Sequence, residues 1–199
     1  MNIKRKLYDF IHMHIVRDLV GPIEKSRYAF FGDKSRIFKP LIHDKNRKYV
    51  SIGKDTVIGK YSRIQCYPDQ NMEIGHLKIG DGCRFGQRCS FLCGEDITVG
   101  NGVLMASDVL ITSENHSINP ETSIWYMSQP LQCKAVEIKD GVWIGEKVCV
   151  LPGVSIGRKS VIGAGSIVTK SIPDFCIAVG NPAKVIKRYD FEKHSWINV

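Results

Sequence analysis

The stretch TSENHSINPETSIWYMSQPLQCKA, residues 112–135, holds the chain's strongest candidate for chemistry, His116, flanked by Glu114, Asn115 and Ser117. Histidine is the side chain whose ordinary titration lies near neutral pH. In its neutral form it takes a proton from a hydroxyl as that hydroxyl attacks an ester. The other histidines have less support: His12 and His14 lie in an amphipathic N-terminal stretch, His43 and His76 near turns, and His194 close to the C-terminus. Seven cysteines are an odd number with no CxxC pair, so neither a complete disulfide set nor a zinc knuckle fits. Reduced thiols in a cytosolic compartment are the simpler expectation.

The elements that must position His116 are given by a six-residue period. An aliphatic residue recurs at Ile138, Ile144, Val150, Ile156, Ile162 and Val168, and a second small or β-branched series follows four residues later from Val142 to Ile172. The same register appears at Ile52, Ile58 and Ile64, at Ile79, Phe85 and Phe91, and at Val99, Met105 and Ile111, with slips near 68–72 and 95–98. A period of six suits neither a helix nor simple strand alternation. It suits a coil with flat sides, one short strand per side and a tight turn at each corner. The spacing therefore predicts an all-β parallel β-helix over 49–188. It is preceded by a helical or extended cap segment over 1–48, where Leu7, Phe10, Ile11, His14, Ile15 and Val16 fall near helical spacing, and followed by a tail over 189–199. The hexads stop between Ile111 and Val136, so about 112–135 is expected as an extruded loop, and long loops in strict solenoids carry function.

Composition excludes several classes. With 199 residues, 43% hydrophobic and 24% charged, the chain is an ordinary globular one, long enough for one domain and short for two. No run of about 18 apolar residues marks a membrane span, and Asp9, His12, His14, Arg17 and Asp18 interrupt any signal-peptide core. The net charge of +8 sits partly in Lys4, Arg5 and Lys6 and partly in Lys184, Lys187 and Arg188. Neither group has the aromatic and glycine interleaving of a nucleic-acid surface.

Two motifs, VLMASDVLITSENHS and VEIKDGVWIGEKVCVLPGVSIGRKSVIGAGSIVTKSIPDFCIAVGNPAKVIKR, resemble the hexapeptide-repeat acyltransferases of the left-handed β-helix class. The similarity is greatest to the maltose, galactoside and polysaccharide O-acetyltransferase branch. The resemblance is dense from about Ile79 to Arg188. It implies a left-handed coil, a homotrimer with sites in the clefts between prisms, and direct transfer from acetyl-CoA, the co-substrate, to a carbohydrate hydroxyl without a metal. On that resemblance His116 matches the general base, and Ala106, Gly145 and Ala164 match small residues along the pantetheine path. Thr169 and Lys170 match a pair near the nucleotide end, Lys184 and Lys187 match basic positions facing its phosphates, and Trp143 matches a tryptophan lining the same cleft.

Two positions depart from the pattern. FGQRCS places Gly86 or a neighbour where related sugar enzymes carry an asparagine, and Glu146 stands where they often carry serine. Other readings on the same prism are N-acetylation of a nucleotide-linked amino sugar and a non-catalytic scaffold. A γ-class carbonic anhydrase needs a further metal-binding histidine about five residues after His116, where Glu121 stands.

Overall fold

The computed structural model describes residues 26–39, 41–68 and 73–199. Its strands stack into three parallel sheets, the faces of a three-sided prism. Face 1 runs Phe30–Phe31, Val50–Ile52, Leu77–Ile79, Ile97–Val99, Val136–Ile138 and Ser155–Ile156. Face 2 starts with Arg36–Ile37, Val57–Ile58, Arg84–Phe85, Leu104–Met105, Trp143–Ile144 and Val161–Ile162, and continues through Cys176–Gly180, Ala183–Asp190 and Ser195–Asn198. Face 3 is His43–Lys45, Arg63–Cys66, Ser90–Cys93, Leu110–Thr112, Cys149–Val150 and Ile167–Val168. Each coil visits faces 1, 2 and 3 in turn and sits on the coil before it.

The hexad residues point inward as expected. Ile138, Ile144, Val150, Ile156, Ile162 and Val168 are all buried, as is the second series from Val142 to Ile172. Burial of each such side chain contributes about 1.5–3 kcal/mol. Most corners carry one residue in the left-handed region, among them Asp55 (φ 49°), Gly102 (φ 62°), Lys147 (φ 56°) and Gly165 (φ 71°). The glycine that opens a corner has a different role, because the next coil lies too close for a side chain: a Cβ on Gly145 would meet Ala164 N at 2.6 Å.

Side chains of one coil cap backbone N–H groups of the coil before it. At the corner between faces 1 and 2, Asp81 Oδ1 accepts from Lys54 N, Asn101 Oδ1 from Asp81 N, and Asp140 Oδ1 from Asn101 N, at 2.7–2.8 Å. These bonds satisfy donors that the turns would otherwise leave unpaired.

Both ends differ from the sequence expectation. The first coil begins at Phe30, paired with Ser51, inside the segment assigned to a cap; its hexads were hidden because only Phe31 and Ile37 keep the apolar pattern, the position in register with Ile64 being Asp44, seven residues after Ile37. The candidate helix near 7–16 lies outside the described residues. Residues 189–199 are not a tail: Ala183–Asp190 folds back antiparallel on Cys176–Gly180, and Ser195–Asn198 pairs with it in turn. Ring contacts of Tyr189 with Phe191 and Trp196 hold this closing hairpin together.

Candidate active site

His116 lies in a two-stranded antiparallel hairpin, Glu114–His116 against Leu131–Cys133, that leaves the prism at the corner between faces 3 and 1. The extruded loop is thus an arm with fixed register. Its root is anchored: Ser113 Oγ donates to Glu95 O at 2.6 Å and accepts from Glu95 N at 3.1 Å, and Glu114 and Cys133 pack over Gly94. His116 is exposed. Its backbone N–H donates to Asn115 Oδ1 at 3.1 Å, and among the described residues its ring has no hydrogen-bond partner. Thr169 and Lys170 are exposed at the same corner, two coils further on.

The small residues lie elsewhere. Ala106 and Gly145 open successive turns at the corner between faces 2 and 3, and Ala164 lies against Gly145. Trp143 is exposed on the outer side of face 2, in register above Leu104. Lys184 and Lys187 would point to opposite sides of a regular strand, being three residues apart. A β-bulge changes that: Lys184 pairs with Val179 and Lys187 with Ile177, leaving Ile186 without an opposite residue. Directly opposed residues share a face, so both lysines join Trp143 on the outer side, while Arg188, opposite Cys176, lies on the other. Sequence alternation alone had no way to show this.

The eight residues matched to CoA and His116 therefore form two groups, on opposite edges of face 3. From Ala106 the chain turns at Ser107 and Asp108 (φ 59°) and then crosses face 3 along Leu110–Thr112 to Ser113, five extended steps that span on the order of 16 Å.

The two departures now have physical explanations. A Cβ on Gly86 would meet Ala106 C at 2.7 Å, so coil stacking excludes a side chain there. Glu146 Oε2 accepts the Ser107 N–H at 3.2 Å, making it part of the corner ladder. Sequence reasoning also passed over His76, whose Nδ1 lies 3.1 Å from Asp96 Oδ1. Burial alone would raise the Asp96 carboxyl, but the His76 N–H, the Lys78 ammonium and the His76 ring together hold it below the usual carboxylate range. His76 and Asp96 border a cleft of about 500 Å³, lined also by Tyr49, Glu73 and Glu95, near the root of the His116 hairpin.

Burial works against a nucleophilic role for three of the cysteines. Burial pushes the Cys89 thiol up to about 11 and raises those of Cys83 and Cys149, so they stay protonated near neutral pH and unreactive. Among the described residues, no three His, Cys, Asp or Glu side chains gather as a metal-holding group, and no helix is long and apolar enough to cross a membrane.

Comparison with known proteins agrees with this fold. Residues 76–113 match the hexapeptide repeat of succinyl-transferase, and residues 135–170 match the bacterial transferase hexapeptide (six repeats). The chain is 42% identical over 174 residues to the putative lipopolysaccharide biosynthesis O-acetyl transferase WbbJ of Escherichia coli, covering 83% of this chain and 85% of that protein. The chain belongs to the hexapeptide-repeat acetyltransferase family. It is also 40% identical over 193 residues to the galactoside O-acetyltransferase of Escherichia coli, covering 96% of this chain and 80% of that one. Among solved structures, a maltose O-acetyltransferase of Clostridium difficile superposes with a TM-score of 0.59 at 28% identity, over 85% of this chain and 74% of that one. The prism is thus the left-handed β-helix that the motifs implied, and its chemistry is acetyl transfer.

Proposed function

We propose that this acetyltransferase moves the acetyl group of acetyl-CoA to a carbohydrate hydroxyl, as in surface polysaccharide or lipopolysaccharide synthesis. In this proposal the site is shared between neighbouring copies in a homotrimer. The observation that carries the shared site is the separation of the two groups of residues. Reacting atoms must come within about 3–3.5 Å, and one prism holds His116 and the small-residue track on opposite edges of a face. A second prism, placed with its track against this hairpin, closes the gap.

Exposed apolar groups support the assembly: Leu104 and Trp143 on face 2, and Ile124, Trp125 and Met127 near the hairpin tip. Contact with the neighbour also supplies an environment for the His116 ring, which needs a partner to fix its tautomer. One copy then contributes His116, Thr169 and Lys170. Its neighbour contributes Ala106, Trp143, Gly145 and Ala164 along the pantetheine arm, with Lys184 and Lys187 toward the phosphates.

In the transfer, the neutral His116 imidazole takes the proton of the sugar hydroxyl as its oxygen bonds to the thioester carbonyl carbon. The carbonyl π pair moves onto oxygen. When the tetrahedral adduct collapses, the C–S bond breaks, and the sulfur leaves with the proton held by His116. None of the seven cysteines is joined in a disulfide, which supports a cytoplasmic location.

The test follows thiol release from acetyl-CoA with a panel of sugars, for wild type and His116→Ala side by side. Sugar-dependent release that falls by about 10²-fold or more in the variant is expected. Release that is equal in both proteins contradicts the role of His116.

A further inference from the structure

The first coil carries a surface unlike that of the coils after it. Its strands, Phe30–Phe31, Arg36–Ile37 and His43–Lys45, are the open edges of the three sheets. Phe30, Phe38 and Ile42 are 53%, 40% and 56% exposed there, and the exposed Lys34, Arg36 and Lys39 are interspersed with them. In the second coil Lys54, Lys60 and Tyr61 are exposed as well. Among the described residues the side chains of Lys34, Arg36, Lys54 and Lys60 have no carboxylate partner, whereas Lys78, Arg84, Arg88 and Arg158 of later coils each have one.

The pairing register shows how far this coil departs from the rest. Phe30 heads a column on the outer side of face 1 that continues as Ser51, Lys78, Thr98, Glu137 and Ser155, all polar. Phe38 follows Ile37, which pairs with Ile58. It therefore stands where Gly59, Gly86, Ala106 and Gly145 open the same corner in later coils. Ile42 lies in the extra length of this first turn, which is one residue longer than the turn after Ile58.

Cations alone would guard open sheet edges against pairing with another chain. Exposed aromatic and aliphatic side chains at the same edges invite contact. Residues of one coil lie near one plane across the end of the prism, because successive coils are only about 4.8 Å apart, so a flat surface meets them together. Cations set around apolar side chains match an anionic bilayer: the ammonium and guanidinium groups reach lipid phosphates while Phe and Ile enter the acyl boundary. A nucleic-acid strand uses cations and ring faces and leaves Ile42 without a role.

We propose that the N-terminal end of the prism docks on an anionic phospholipid bilayer, with Phe30, Phe38 and Ile42 entering it and Lys34, Arg36 and Lys39 holding its phosphates. Such contact brings the clefts of the enzyme to sugars carried on lipids. The proposal stands apart from the acetyl-transfer reading, since none of these residues is among those assigned to acetyl-CoA or to proton transfer.

The test sediments the full-length protein with vesicles of phosphatidylcholine and phosphatidylglycerol, and with vesicles of phosphatidylcholine alone. Binding is expected to be at least about tenfold tighter to the anionic vesicles and to weaken with added salt. Lys34→Ala combined with Arg36→Ala is expected to weaken it about 10–30-fold, at roughly fivefold per cation. Phe30→Ser combined with Ile42→Ser is expected to weaken it about tenfold or more. Both pairs are expected to leave the melting temperature unchanged. Lys159→Ala combined with Lys193→Ala, at the other end of the prism, is expected to leave binding unchanged.

Absence of binding to the anionic vesicles overturns the proposal. Binding that survives either rim pair, or that falls equally when Lys159 and Lys193 are replaced, overturns it too, because the contact then lies elsewhere or reflects net charge alone. If poly(U) RNA binds as tightly as the vesicles, and loss of the rim cations weakens it while loss of the apolar pair does not, the rim is a nucleic-acid surface and the proposal falls.

Discussion

The two corners that flank face 3 are built on opposite plans. Between faces 2 and 3 the turns from Gly59 onward are short, opened by Gly or Ala and pressed against the next, so that a Cβ on Gly86 or Gly145 would strike backbone. Between faces 3 and 1 the turns vary in length, and one grows into the His116 hairpin with its exposed apolar tip. The first corner is a smooth rail set by stacking. The second is free to carry side chains, because it leaves the stack. Binding of a thin extended cofactor suits the first and placement of a reactive group suits the second, and in the proposed site the two come from neighbouring prisms.

This contrast is open to tests that separate binding from chemistry. The largest effect is expected at the hairpin: His116→Ala lowers kcat by about 10²–10⁴-fold, while calorimetry shows acetyl-CoA binding and the melting temperature unchanged. If binding is lost as well, the hairpin is part of the rail and the contrast fails. At the rail the expected cost falls on stability. Gly86→Asn, which installs the residue found in related sugar enzymes, forces adjacent coils apart and lowers the melting temperature by roughly 3–10 °C. Asn115→Ala in the hairpin leaves it unchanged.

The smallest effects are expected on the outer side of face 2. Lys184→Ala and Lys187→Ala each raise KM for acetyl-CoA by about 3–10-fold, as loss of one charged hydrogen bond does. Neither changes turnover of acetyl-pantetheine, which lacks the nucleotide. Arg188→Ala, on the other side of the strand, changes neither; an equal loss there would show that the bulge does not set the facing.

Much of this was legible in the sequence, for reasons that can be named. Hexads are read directly because an inward residue every six positions is a one-dimensional signal, and Ile138 to Val168 all proved buried. The interruption at His116 was legible for the same reason. What stayed hidden depends on pairing between distant coils. The hairpin register of His116 with Leu131, the bulge at Ile186 and the stacking of Gly86 on Ala106 are each set by a partner 15 or more residues away or by a single extra residue. The C-terminal strands were missed because their core is a few aromatic contacts, Tyr189 with Trp196 among them, and not a period.

The central claim, that one site draws on two copies, is tested most directly by mixing. His116→Ala protein, which keeps its rail, and Ala164→Trp protein, whose large side chain blocks the small-residue track but which keeps its histidine, are unfolded together, refolded and assayed for sugar-dependent acetyl transfer. Random assembly of a symmetric trimer gives roughly a quarter of the interfaces an intact histidine facing an intact rail, so the mixture is predicted to recover about that fraction of wild-type activity while each variant refolded alone stays near zero. A mixture no more active than the average of the two variants, despite confirmed mixed trimers, would contradict the shared site and place all the chemistry within a single chain.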